Sequence, residues 1–140
     1  MLDQQLTLTE WRSVKEKKRR KNALDPGKLY VRYKPRKNGK HTMLVYIGND
    51  ILKRMGWHAG DMLEILRHDT RFTQYVILPD VNGLHLSQSA MAHAGLLQVV
   101  TTKNYAAFDD DQTIAVRFME CRNYVLFDIG QPEIEGCYRL

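Results

Sequence analysis

The stretch MLVYIGNDILKRMGWHAGDMLEIL, residues 43–66, holds three kinds of local order in succession. Thr42 to Gly48 is an uninterrupted apolar run of strand length, and Asn49 to Met55 (NDILKRM) is polar at its start with Ile51 and Leu52 side by side, as in one or two helical turns. Gly56 can take the positive φ that ends a helix, and Ala59-Gly60-Asp61 supplies a tight turn. Met62 to Leu66 then opens a second strand. Trp57, just past the helix stop in an apolar window, is expected in the core.

Before this stretch, residues 28–34 (KLYVRYK) alternate Leu29, Val31 and Tyr33 against Lys28, Tyr30, Arg32 and Lys34, the period of a half-exposed strand. The PRKNGK segment that follows carries an Asn-Gly pair, so a basic hairpin into the next strand is expected. After it, strands are expected at 74–78, 84–86, 96–101, 113–119 and 124–129, with a helix from Ser87 to Ala94 and a loose tail from Gln131. Sliding the chain by 39 residues lays Ile47 to Trp57 over Leu86 to Leu96. Gly56 then falls on Gly95, as if each closed a short helix before a strand. On that reading two β-α-β halves form one pseudo-symmetric barrel. The fold expected over about residues 28–130 is mainly β, a small barrel or sandwich with two short helices. Residues 1–27 are expected to form a basic helical arm and 28–140 the β-rich core domain.

Charge is segregated along the chain. Thirteen of the thirty residues from Arg12 to His41 are Lys or Arg, against only Glu16 and Asp25, so this segment carries about +11 while the whole chain carries +5. One cluster is Arg12, Lys15, Lys17, Lys18, Arg19, Arg20 and Lys21. The second is Lys28, Arg32, Lys34, Arg36, Lys37 and Lys40. Concentrated charge of this kind attracts polyanions more strongly than the same charge spread evenly. Nucleic acid is the favoured partner, with phosphates as the points of contact. The alternatives are a basic arm docking an acidic surface of a larger protein, as an inhibitor or adaptor would, and a passive solvating tail. Tyr30, Tyr33 and Tyr46 near the basic hairpin suggest a third, a single-stranded DNA or RNA binder that stacks bases. Alternation makes Tyr30 the best placed of the three.

Residues 43–66 resemble the core of AbrB-like swapped-hairpin domains through Ile47, Ile51, Leu52, Met55, Gly56, Gly60, Asp61, Leu63 and Ile65. The resemblance implies interleaved hairpins, usually in a dimer, that bind DNA through basic residues on one face. It places Lys53 and Arg54 on the short helix as further contacts, and it implies a DNA-binding regulator.

Catalytic motifs are missing from the sequence. His58, His68, His85 and His93 lack metal-ligand spacing, and Asp109-Asp110-Asp111 lacks the further ligands of a Ca²⁺ loop, so a solvated turn is expected there. There is no phosphate-cradling glycine loop and no serine nucleophile elbow. The expectation is a non-enzymatic protein without cofactor or metal. Cys121 and Cys137 read as reduced thiols. No run approaches the ~20 apolar residues that span a bilayer, and the N-terminus lacks a signal-peptide pattern, which favours a cytoplasmic protein without membrane contact.

Overall fold

Leu29, Val31 and Tyr33 are fully buried while Tyr30 and Arg32 between them are half-exposed, so the period-two pattern of the first strand is realised as a strand with one face on a core. The computed structural model describes residues 24–89, 93–101 and 109–132. Its elements are β1 (Leu29–Pro35), β2 (His41–Gly48), α1 (Asn49–Met55), β3 (Met62–Arg67), β4 (Gln74–Pro79), β5 (Leu84–His85), β6 (Ser87–Ser89), β7 (Ala94–Thr101), β8 (Ile114–Glu120) and β9 (Val125–Pro132). Of the expected basic arm, residues 1–23 lie outside the described residues. The loose tail expected from Gln131 is corrected at its start, because Gln131 and Pro132 end β9, and residues 133–140 lie outside the described residues.

All pairings are antiparallel, in the order β5-β3-β4-β9-β8-β1-β2-β7-β6. The two outermost strands, β5 and β6, are consecutive in the chain, with Leu86 alone between them. Leu86 itself is tied down, its N–H donating to the Asp61 carbonyl at 2.9 Å and its carbonyl accepting from Gly60 N–H at 2.8 Å. The sheet therefore curls until its edges meet, giving a nearly closed barrel with little free edge for other chains to pair with. Its interior is filled by Leu29, Val31, Met43, Val45, Ile47, Leu63, Ile77, Leu97, Val116 and Phe127, all essentially inaccessible.

The helix α1 packs Ile51 and Leu52 against this core. It stops as expected: Gly56 takes φ 73°, Gly56 N–H donates to the Lys53 carbonyl and Trp57 N–H to the Leu52 carbonyl at 3.0 Å. These are the paired bonds of a Schellman cap, and the buried Trp57 provides its apolar partner for Leu52. Gly60 also has positive φ, at 99°.

The duplication is not realised. Among the described residues there is one helix, and Ser87–Ser89 is a strand paired with β7, where the second helix was expected to begin. Gly95 lies within β7 opposite Ile47 and does not have positive φ. Its role is spatial: a Cβ there would stand 3.0 Å from a Leu52 methyl and 3.1 Å from a Leu86 methyl. Glycine lets α1 rest on β7.

Candidate nucleic-acid interface

Strand directions sort the charged residues between the two ends of the barrel. β1, β3, β7 and β9 run toward one end and β2, β4 and β8 run away from it, so the β1–β2 turn and the β3–β4 turn project from the same rim. The β1–β2 tip is closed by Arg36 N–H to the Lys40 carbonyl at 2.9 Å and by Asn38 Oδ1, which accepts Lys40 N–H at 3.1 Å. Lys34, Arg36, Lys37 and Lys40 are all exposed on it. Arg36 donates to the Thr42 hydroxyl at 3.1 Å. No acidic group pairs with Lys34, Lys37 or Lys40 among the described residues.

Lower on the strand the charge is partly cancelled. Arg32 donates to Asp111 at 3.1 Å, and His41 Nε2 lies 3.1 Å from Asp110 Oδ2. The acidic turn, expected to be merely solvated, is held against β1 by Asp111 N–H donating to the Tyr33 carbonyl at 2.7 Å. Surface pairs of this type contribute little stability, on the order of 0–1 kcal/mol, but they remove Arg32 from the free positive field.

The other expected contacts are not gathered here. Lys28 is half-buried at the start of β1, at the far end from the tip. Lys53 and Arg54 also lie at the far end, because α1 follows the outgoing end of β2. Lys53 is exposed. Arg54 holds Glu120 of β8 with three contacts of 2.6–3.0 Å, and this hydrogen bonding is the main reason its pKa is raised above the ordinary arginine value. Arg12, Lys15, Lys17, Lys18, Arg19, Arg20 and Lys21 lie outside the described residues.

Of the three tyrosines, Tyr33 belongs to the core. It is fully buried, donates its hydroxyl to Met43 Sδ at 3.1 Å and meets the His41 ring edge-on. Tyr30 and Tyr46 are directly opposite each other on the outer face, both half-buried. The Tyr30 hydroxyl accepts the Asp25 N–H at 3.1 Å.

The structure adds two cations that the sequence reading did not include. Arg67, at the end of β3, stands with its guanidinium carbon 5.0 Å from the Phe72 ring centre, and Arg71 in the following turn reaches Gln74 Oε1 at 3.3 Å. The turn is shaped by His68, whose Nδ1 accepts the N–H groups of Thr70 at 3.1 Å and Arg71 at 3.0 Å. The motif RHDTRF signals a basic turn, but its place beside the hairpin depends on the closure of the barrel.

Among the described residues no group of three or more His, Cys, Asp or Glu side chains could hold a metal ion, and no helix is long and apolar enough to cross a membrane. Cys121 is a free, half-buried thiol. No family model, curated protein or solved structure matches the chain.

Proposed function

We propose that this chain is a small non-enzymatic nucleic-acid-binding protein that seats phosphates on the β1–β2 hairpin, with DNA the favoured ligand. The observation that carries the reading is the tip itself. Lys34, Arg36, Lys37 and Lys40 are exposed within seven residues, and no acid neutralises them among the described residues. A rigid two-stranded support holds these charges in place, so less conformational entropy is lost on binding than from a flexible tail. Arg71 in the neighbouring turn extends the positive field, and the basic residues 12–21 add to it along the sequence.

The finer reading, a DNA-binding regulator of the AbrB-like kind, rests on residues 43–66. The strand, the Gly56-capped helix, the Gly60-Asp61 turn and the following strand support it as local features. A dimer would present two hairpins to one duplex. Phosphate contacts of this sort give affinity and register but no base preference. The test is binding of fluorescein-labelled duplex to the full chain and to a variant with Lys34, Arg36, Lys37 and Lys40 all changed to Gln. At low salt the variant should bind at least tenfold more weakly. Equal affinity, with an unchanged circular dichroism spectrum, would overturn the reading.

A further inference from the structure

Among the described residues, the barrel end beside the hairpin frames a cavity. It measures about 380 Å³ between β2, β3, β4 and β7, and it lies within the range of small-ligand sites. Its floor is apolar: Met43 is fully buried, Tyr75 is 5% exposed, and Ile65 and Val99 are half-buried beside them. The floor is also held in place from behind. Tyr33 donates to Met43 Sδ at 3.1 Å, and the Tyr75 ring is stacked on Phe127 with centres 5.3 Å apart and planes 11° from parallel. The rim is polar, carrying Arg67, His68, Asp69 and Thr101. An apolar slot with a cation and hydrogen-bonding groups at its lip suits a flat, amphipathic anion.

We propose that this mouth takes one unpaired nucleotide, its base between Ile65, Val99 and the exposed edge of Tyr75, above the buried Met43, and its phosphate toward Arg67 and the hairpin tip. This deepens the phosphate-binding reading of the hairpin and rests on it. A base stacked inside a duplex cannot enter the slot, so the mouth discriminates single strands, or loose ends, from duplex. Asp69 and Thr101 at the lip can meet the donors and acceptors of a base edge. Aromatic and apolar contact with a base is sequence-tolerant, and removing it weakens binding by about tenfold or more.

The experiment uses the full chain and three probes of equal length and salt: a short thymine oligomer, a sugar-phosphate oligomer without bases, and a duplex. A 2-aminopurine in the first probe reports entry into the mouth by a change in fluorescence. The expected result is at least tenfold tighter binding of the base-bearing single strand than of the abasic oligomer, together with a fluorescence change. Val99→Trp, which fills the slot, should erase both differences while leaving duplex affinity intact. The wild-type comparison with the abasic oligomer carries the test if that variant does not fold. Thymidine monophosphate added as competitor separates two sources of the ligand. Reversal of the signal would identify a free nucleotide as sufficient, and no reversal would require a strand. Equal binding of base-bearing and abasic oligomers would overturn the mouth site. If neutralising the hairpin still abolished binding of both, the phosphate-binding reading would stand without the mouth. Full binding by the hairpin variant would instead remove that reading.

Discussion

Adding one methyl group at Gly48 would place the new carbon 2.2 Å from the Pro26 carbonyl oxygen, 2.5 Å from its carbonyl carbon and 2.7 Å from the Lys28 oxygen. All three are backbone atoms, so no side chain can rotate away. The torsions at Gly48, φ −58° and ψ 149°, suit alanine, which makes the effect one of space alone. To relieve the contact, the turn of residues 25–28 must lift off the start of α1. Two hydrogen bonds cross that gap, Gly48 N–H to the Lys28 carbonyl and Asp50 N–H to the Pro26 carbonyl, both 3.0 Å. Losing them, at about 1 kcal/mol each, with an overpacking cost of similar size, gives roughly 3 kcal/mol for Gly48→Ala. For a domain of this size that lowers Tm by roughly 10 °C. Urea and thermal unfolding followed by circular dichroism would measure it. Affinity for nucleic acid should change less than twofold below the transition, because the turn lies at the end of the barrel opposite the hairpin. A loss of under about 0.5 kcal/mol, the usual scatter for uncrowded surface sites, would refute the packing of this turn on the helix.

Gly56→Ala should cost about 1 kcal/mol in urea unfolding, because a Cβ is strained at φ 73° although nothing stands within 4 Å of it. Gly95→Ala acts by a different cause, crowding against Leu52, so combining it with Leu52→Ala should give a double-variant loss smaller than the sum of the single losses. Arg54→Gln should lower stability by no more than about 1 kcal/mol, since Arg54 is half-exposed, and should leave nucleic-acid affinity unchanged; a drop in affinity equal to that of Lys37→Gln would place the interface elsewhere. Asp111→Asn releases Arg32 beside the hairpin, so it should tighten polyanion binding at low salt, and a weaker complex would contradict the arrangement of charges.

Much of the fold was legible because its signals are local. Alternation placed Leu29, Val31 and Tyr33 in the core, and the run NDILKRMG marked both the helix and its glycine cap. The segment SQSAMAHA misled for the same reason. Its alanines and methionine favour a helix, yet Ser87–Ser89 gains more by pairing with β7 and closing the barrel, a contact that no local pattern announces. The match of Gly56 with Gly95 failed likewise, since one glycine answers to a torsion and the other to two leucine methyls brought in from elsewhere. At the candidate site, the hairpin lysines and arginines could be read directly. The mouth could not, because Met43, Ile65, Tyr75 and Val99 are separated along the chain and meet only through strand order. The burial of Tyr33 was a local matter, whereas the Arg54–Glu120 pair joins elements 66 residues apart.

The most direct test of the hairpin's role is the salt dependence of duplex binding. Each phosphate neutralised adds about 0.9 to the slope of log K against log salt, so four hairpin cations account for roughly 3.6. Between 50 and 200 mM salt, that share alone weakens binding by roughly 150-fold. Changing Lys34, Arg36, Lys37 and Lys40 to Gln should therefore flatten the slope by roughly 3.6, leaving only what residues 12–21 and other cations supply. A variant whose slope equals that of the wild type would show that the hairpin does not meet the phosphates, and the account would fail.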